Sequence, residues 1–147
     1  MKVKDQLRAL SVAPTKERGQ NFLKDPGGIQ DILRFGDPRA GERLVEIGPG
    51  LGALTQELYS ISDLIVVEIE RNFCNRLSQQ FPKIKIVNED VRAVDFSELG
   101  EDLVIFGNLP YSMSTDIIFH LLAFSQNINR AVLMLQKEFV QRMIAEP

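Results

Sequence analysis

The segment that decides the fold is Arg43–Ser60, which reads RLVEIGPGLGALTQELYS. Its first five residues contain three apolar residues, one basic residue and one acid, and this pattern predicts a short strand. Glycines follow at positions 48, 50 and 52, and Leu51–Ser60 has the pattern of a helix. Glycines between a strand and a helix permit a tight turn and the close approach of a ligand to the backbone. The segment therefore predicts a strand, a ligand-binding turn and a helix.

The same alternation of strands and helices extends in both directions from this unit. A helix is predicted from Pro26 to about Arg34, because Asp25 and Pro26 form a helix start signal. Downstream apolar runs alternate with helical patterns, which is typical of βαβ units and a parallel sheet. The predicted fold class is α/β, a doubly wound, mostly parallel, Rossmann-like sheet of about five strands. The further predicted strands are 64–69, 83–87, 103–106 and 131–135, and the further helices are 72–80, 114–124 and 137–145.

Length and composition are those of an ordinary globular domain. The chain has 147 residues, of which 44% are hydrophobic and 25% charged, and this length predicts one domain. No apolar stretch approaches the ~18 residues of a membrane span, and the N-terminus lacks the apolar run of a secretory signal. Cys74 is the only cysteine, so we expect no internal disulfide and a cytoplasmic location. No set of His, Cys and acidic residues has metal-ligand spacing, so neither a metal nor a membrane partner is expected.

Charge is distributed unevenly along the chain. The net charge is −3, which argues against a nucleic-acid footprint over the whole chain. Residues 1–34 nevertheless carry seven Lys or Arg against four acids, whereas the remainder is acidic. We expect residues 1–18 to form a basic N-terminal arm, which is compatible with contacts to the backbone of a polyanion. Charge alone favours the simpler interpretation of a solvated tail.

Acidic side chains follow the next two strands at the positions where a nucleoside would need them. Exposed amides after Gly48 and Gly50, at the start of the helix, favour a negative ligand group. Glu68 stands twenty residues after Gly48, near the end of the second strand, where a carboxylate accepts hydrogen bonds from ribose hydroxyls. Asp90 follows the third strand and is placed to accept a hydrogen bond from the adenine amine. The pattern predicts a nucleoside pocket at the carboxyl ends of three strands.

Two cofactors fit this pocket. The glycines, Ala53 and Glu68 also satisfy the fingerprint of a dinucleotide-binding domain, so an NAD-binding oxidoreductase domain is the alternative. Pro49 inside the turn and Glu46 before it favour S-adenosylmethionine instead. An acid at position 46 would repel a pyrophosphate but would bind the ammonium group of an amino acid. Pairing of Glu46 with a Lys or Arg is the other interpretation of that acid.

A second motif, GNLPY at 107–111, follows the fourth predicted strand. Methyl transfer to an exocyclic amino nitrogen is difficult, because the lone pair of that nitrogen is delocalised into the ring. Asn108 and Pro110 offer carbonyl oxygens that could bind the two amino hydrogens, aim the lone pair and stabilise the developing charge. Tyr111 offers an aromatic face on which an unpaired base stacks. These three residues are the predicted catalytic set, with a capped turn and a half-buried tyrosine as the structural alternative.

The order of the motifs resembles that of one known family. The shared blocks are GQNFL at 19–23, VEIGPGLGALT at 45–55, VVEIE at 66–70, NEDV at 88–91, GNLPY at 107–111 and MLQKEFVQRM at 134–143. In this order they resemble the KsgA (RsmA) family of ribosomal small-subunit RNA adenine N6,N6-dimethyltransferases. The resemblance runs from about Gly19 to the C-terminus. Leu109 favours this ribosome-maturation branch over the related antibiotic-resistance methyltransferases, which usually have isoleucine there.

The resemblance implies a function, a cofactor and residue roles. It implies a class I methyltransferase sheet that uses S-adenosylmethionine to dimethylate adenines in 16S-type ribosomal RNA of the immature small subunit. Asn108 would face both the cofactor and the target base. The other implied roles are cofactor contact for Asn21 and Leu23, the methionine part for Gly48, the ribose for Glu68, the adenine end for Asp90, and the target adenine for Pro110 and Tyr111.

Length and two local differences depart from the family pattern. Arg18 replaces the usual apolar residue before GQNF, and Ser112 and Met113 replace Asn-Ile after NLPY. The family continues into further strands and a small helical RNA-binding domain, which we expect to be absent here. Residues 19–147 would then be the methyltransferase domain, with weak cofactor binding and little or no turnover. A non-catalytic RNA-binding or assembly module is the remaining alternative.

Overall fold

Five parallel strands form a single sheet at the centre of the protein, flanked by helices. The computed structural model describes residues 26–109, 111–135 and 141. The strands are β1 (Leu44–Ile47), β2 (Leu64–Val67), β3 (Lys85–Val87), β4 (Leu103–Asn108) and β5 (Ile128–Met134), and the helices are α1 (Pro26–Gly36), α2 (Ala53–Tyr59), α3 (Arg71–Gln80) and α4 (Ser114–Ala123). The spatial order of the strands is β3-β2-β1-β4-β5, and every neighbouring pair is parallel.

The sheet is covered by helices on both faces. Leu58 of α2 and Leu77 of α3 pack in one apolar layer together with Val66. Ile117 of α4 packs in the opposite layer together with Val45. All five side chains are fully buried, because successive residues of a strand point to opposite faces and each face has its own cover. The prediction of a doubly wound α/β sheet is confirmed.

Two strand boundaries differ from the prediction in ways that affect the carboxyl edge of the sheet. β4 continues to Asn108, because Gly107 pairs with Ile47 of β1 and Asn108 pairs with Met134 of β5. β2 ends at Val67, so Glu68 follows the strand instead of lying within it. Backbone pairing between distant segments sets these ends, and apolar runs in the sequence do not record it.

β5 begins earlier than predicted, at Ile128, which pairs with Leu103 of β4, and it includes Arg130, whose side chain has partners on other elements. The guanidinium of Arg130 donates to the carbonyl oxygens of Gly36 at 2.8 Å and Asp37 at 3.0 Å. It also forms an ion pair with both carboxylate oxygens of Glu42, at 2.8 and 2.9 Å. Arg130 therefore fastens the end of α1 and the approach to β1 onto the strand.

Gly36 ends α1 directly against a buried aromatic ring. A Cβ atom at this position would lie 2.3 Å from Cε1 of Phe106 and 3.2 Å from Cγ2 of Val132. Phe106 is completely buried, so its ring cannot move aside without disturbing the core. We expect Gly36→Ala to lower the free energy of unfolding by about 1–3 kcal/mol, measured by urea denaturation.

Gly41→Ala is the control for this substitution. Gly41 has a φ of +88°, and a Cβ atom there would meet nothing within 4 Å. Only backbone strain of about 1 kcal/mol is then expected. A loss in Gly36→Ala no greater than in the control would contradict the steric explanation.

Several sequence-based predictions fall outside the described residues. They are the basic arm at 1–18, the cofactor contacts Asn21 and Leu23, the carbonyl of Pro110, and the helix at 137–145 apart from Gln141. All of them stay predictions.

Candidate functional site

The glycine turn after β1 has a conformation that glycine adopts more readily than other residues. Gly48, Gly50 and Gly52 have φ angles of +67°, +56° and +92°. The Gly48 amide donates to the carbonyl of Val67 at 2.9 Å, and the Gly52 amide donates to that of Pro49 at 3.0 Å. The predicted tight turn between the first strand and its helix is therefore present, and it lies at the carboxyl end of the sheet.

Pairing of β1 with β4 brings the two sequence motifs together. Ile47 is in register with Gly107, so the residues that follow them, Gly48 and Asn108, lie side by side. A Cβ atom on Gly48 would stand 3.7 Å from the backbone oxygen of Asn108. The chain adds β2 and β3 on one side of β1, and then β4 and β5 on the other side. Ligands of doubly wound sheets bind at the point where this order switches, here between β1 and β4.

Glu68 lies against the glycine turn. It is 6% exposed, and its Oε1 accepts a hydrogen bond from the Gly50 amide at 3.3 Å. Its Oε2 accepts a hydrogen bond from the Glu70 amide at 3.0 Å. These bonds fix the carboxylate at the carboxyl end of β2, beside the turn. The predicted contact with a ribose stays a prediction.

Asn88 connects the loops that follow β2 and β3, a role that the sequence reasoning missed. Its side-chain amide donates to the carbonyl oxygens of Glu68 at 2.9 Å and Ile69 at 3.1 Å. The sequence feature that could have indicated this role is an asparagine directly after a strand. Its side-chain amide can donate to backbone carbonyls at the end of the neighbouring strand. Asn88 thereby keeps the Glu68 and Asp90 loops side by side.

Asp90 is held by an arginine two residues later in the chain. Arg92 donates through Nε and Nη2 to the two carboxylate oxygens of Asp90, at 3.1 and 2.7 Å. This contact holds the pKa of Asp90 below its usual value. Arg92 also lies 3.5 Å from Asp116 of α4 and links the Asp90 loop to the helix that follows GNLPY. Arg92 was not among the predicted site residues, because an exposed basic residue in a loop has no distinctive local pattern.

Glu46 is buried beneath the turn instead of facing solvent. It is 3% exposed, and its Oε1 accepts a hydrogen bond from the Thr55 hydroxyl of α2 at 2.5 Å. Burial raises the pKa of Glu46 to about 8, and the nearby Glu68 carboxylate adds to the increase. The alternative that Glu46 pairs with a Lys or Arg was wrong, since its partner is Thr55. Its contact with a cofactor ammonium group stays a prediction.

The GNLPY segment connects β4 to α4 at the same edge. Asn108 is half-buried, and the Leu109 amide donates to the carbonyl of Met134 in β5 at 3.1 Å. Leu109 is 2% exposed, so it anchors the segment in the core. Tyr111 begins a short 3-10 turn, Tyr111–Met113, that leads into α4. The structure thus places Asn108 at the switch point, while the roles of Pro110 and Tyr111 stay predictions.

Among residues 26–109, 111–135 and 141, no group of three or more His, Cys, Asp or Glu side chains is arranged to hold a metal ion. None of the helices in this part of the chain has both the length and the apolar character needed to span a bilayer.

Comparison with known proteins identifies relatives over most of the chain. Residues 14–147 match the family described as ribosomal RNA adenine dimethylase. A ribosomal RNA small subunit methyltransferase A from Nitrosomonas europaea is 49% identical over 136 residues, which are 91% of this chain and 53% of that protein. The chain therefore spans about half the length of the curated relatives it matches.

Solved structures agree with this relationship. A dimethyladenosine transferase from Plasmodium falciparum superimposes with a TM-score of 0.76 and 27% identity, covering 86% of this chain and 47% of that one. The 23S rRNA methyltransferase ErmE superimposes with a TM-score of 0.72 and 28% identity, covering 82% of this chain and 50% of that one. The resemblance inferred from the motifs is confirmed, and the chain belongs to the ribosomal RNA adenine dimethylase family.

Proposed function

We propose that this chain carries the cofactor and target-base sites of an S-adenosylmethionine-dependent enzyme that dimethylates N6 of adenines in small-subunit ribosomal RNA. The proposal rests on the position of two motifs, the glycine turn and GNLPY, which lie side by side at the carboxyl edge of the sheet. The glycine turn after β1 and Asn108 at the end of β4 are neighbours, because those strands pair in parallel. Membership of the family supports the reaction.

The donor set at this edge fits S-adenosylmethionine, which has an adenine, a ribose and an amino-acid tail but no phosphate. The positive φ of Gly48 and the adjacent Asn108 carbonyl leave a cradle in which a side chain would be strained. Backbone groups of Gly48 and Gly50 would hold the amino-acid tail. Glu68 would accept hydrogen bonds from the ribose hydroxyls, and Asp90 would accept one from the adenine amine.

When bound, S-adenosylmethionine supplies the methyl group, and the GNLPY segment prepares its acceptor. The side-chain carbonyl of Asn108 and the backbone carbonyl of Pro110 would accept the two hydrogens of the adenine amino group, which orients the nitrogen lone pair. The same oxygens would stabilise the positive charge that develops on the nitrogen. Tyr111 would stack on the base. A general base close to the nitrogen is unnecessary, because the proton leaves after the transfer.

The proposed substrate is the ribosomal RNA of the immature small subunit, in the cytoplasm. The relatives named small subunit methyltransferase A support this substrate. The basic residues 1–18 would contact the phosphate backbone, and residues 19–147 would form the methyltransferase domain.

Calorimetric titration of the chain with S-adenosylmethionine and, separately, with NAD tests the proposal. We expect S-adenosylmethionine to bind and NAD not to bind. Glu68→Ala should weaken S-adenosylmethionine binding at least about tenfold, because a buried acceptor for the ribose hydroxyls is lost. Glu57→Ala, on the exposed face of α2, is the matched control and should bind like the wild type. Binding of NAD alone would favour the oxidoreductase alternative.

Methyl incorporation separates the enzyme from the assembly-module alternative. The measurement uses small subunits that lack the modification, with the protein in excess so that a single turnover suffices. A chain that binds both S-adenosylmethionine and the subunit but transfers no methyl group would favour the non-catalytic module.

A further inference from the structure

A buried hydrogen bond joins the two ends of the glycine turn. The hydroxyl of Thr55, in the first turn of α2, donates to Oε1 of Glu46, in β1, at 2.5 Å. Both side chains are enclosed, with exposed fractions of 0% for Thr55 and 3% for Glu46. The segment between them contains the three glycines with positive φ. The bond therefore closes the turn from beneath, between the strand that enters it and the helix that leaves it.

Backbone hydrogen bonds also hold the start of α2, from the Gly52 amide to the Pro49 carbonyl and from the Gln56 amide to the Gly52 carbonyl, both at 3.0 Å. Its N-cap residue, Gly52, has no side chain with which to cap the helix. The Gly50 amide reaches Oε1 of Glu68 at 3.3 Å, which is longer than the bond between Thr55 and Glu46. Because glycines have unusual conformational freedom, a turn of this composition needs anchors to hold one shape. The bond from Thr55 is the shorter of these two side-chain anchors.

We propose that Thr55 is a positioning residue for the cofactor site, which acts by holding Glu46 and thereby fixing the glycine turn. Glu46 serves as a neutral carboxylic acid beneath the turn and does not touch the ligand. This inference rests on the proposed function, since the turn is where the amino-acid tail of S-adenosylmethionine would bind. It replaces the role expected from the sequence, in which an ionised Glu46 binds the ammonium group.

The groups around Glu46 favour its neutral form. Burial raises the pKa of Glu46 to about 8, and the charge of Glu68, directly after the neighbouring strand, acts in the same direction. Glu68 accepts one backbone N–H group on each oxygen, from Gly50 and Glu70, an arrangement that stabilises a carboxylate. From α3, Cys74 approaches the backbone of Glu68 as a thiol, since its pKa is raised to about 11. Of the two acids at the turn, Glu46 is therefore the one whose neutral form is favoured.

Calorimetric titration with S-adenosylhomocysteine at pH 7 tests the inference on four forms of the full chain. Thr55→Val keeps the shape of the side chain but leaves a buried acceptor unpaired, so binding should be at least about tenfold weaker than in the wild type. Thr55→Ser retains the donor and should bind within about threefold of the wild type. Glu46→Gln keeps a neutral acceptor for Thr55 and should also bind within about threefold. Rescue by serine, with tight binding in Glu46→Gln, supports the inference.

The pH profile distinguishes positioning from direct contact. Between pH 7 and pH 9, the wild type should lose affinity relative to Glu46→Gln, because ionisation of Glu46 places a second buried charge beside Glu68. A direct contact predicts the opposite trend, since an ionised Glu46 would attract the ammonium group. In that case Glu46→Gln would bind at least about tenfold more weakly than the wild type at pH 7.

Binding of S-adenosylhomocysteine by the wild type distinguishes failure of the inference from failure of the proposed function. Wild-type affinity in Thr55→Val, or the pattern of a direct contact, would overturn the inference and leave the cofactor in place. A wild type that does not bind S-adenosylhomocysteine at any pH would overturn both. If Thr55→Val does not fold, as judged by its circular dichroism melting curve, the comparison of the wild type with Glu46→Gln still decides the outcome.

Discussion

Replacing Glu46 with glutamine should make the protein more stable than the wild type at pH 8, by a margin that disappears near pH 4. The reason is the burial of the Glu46 carboxyl, which raises its pKa from an ordinary value of 4.5 to about 8. Below pH 4.5, Glu46 is protonated in both the folded and the unfolded chain. Between pH 4.5 and pH 8, the unfolded chain ionises Glu46 and the folded chain does not. The stability contributed by the protonated form is therefore lost as the pH rises through this window.

The size of this loss follows from the link between protonation and folding. The free energy of unfolding of the wild type should fall by about 1.4 kcal/mol for each pH unit in the window, from this group alone. Glutamine has no proton to lose and still accepts the hydrogen bond from Thr55. The variant should therefore exceed the wild type by about 3 kcal/mol at pH 7 and by about 4 kcal/mol at pH 8.

Urea unfolding curves at pH 5, 6, 7 and 8 measure this difference. Glu57→Gln makes the same chemical change at an exposed position of α2 and should follow the wild-type curve. Parallel dependence on pH in the wild type and in Glu46→Gln would show that Glu46 is already ionised in the folded protein. That result would contradict the buried neutral acid.

Removing the Asn108 side chain should slow methyl transfer at least about 100-fold while leaving cofactor affinity nearly unchanged. The two effects separate because different parts of the residue are involved. The backbone oxygen of Asn108 approaches the Gly48 cradle, and backbone pairing holds β4 against β5. Alanine retains both features. Asn108→Ala removes the side-chain amide, whose carbonyl would bind an amino hydrogen of the target adenine.

Single-turnover incorporation of labelled methyl groups into unmodified small subunits measures the first effect, and S-adenosylhomocysteine calorimetry measures the second. Asn75→Ala, at an exposed position of α3, is the matched control for loss of an amide side chain. A transfer rate in Asn108→Ala within about tenfold of the wild type would exclude Asn108 from orienting the acceptor nitrogen. An equal loss of rate and of cofactor affinity would assign the side chain to cofactor binding instead.

The sequence alone determined the local units of this fold. The apolar strands, the helices between them and the glycine turn after β1 depend on hydrophobic periodicity and turn chemistry, which act between residues close in the chain. Because the loops after parallel strands lie at one edge, the positions of Glu68 and Asn108 on that edge also followed from the sequence. The motifs and their order also identified the family, because each motif is a contiguous stretch of sequence.

Only the tertiary structure decided which of these units meet and which charges persist between them. The sequence did not show the register of β4 against β1, which places Asn108 beside Gly48, because that register is set by pairing across about sixty residues. The partner of Glu46 was also hidden, since Thr55 resembles any polar residue in a first helical turn until burial brings the two together. Arg92 likewise approaches Asp116 of α4 only in the folded chain. Burial and long-range pairing change the energy of a polar group by more than its local pattern does, and both exist only in the folded chain.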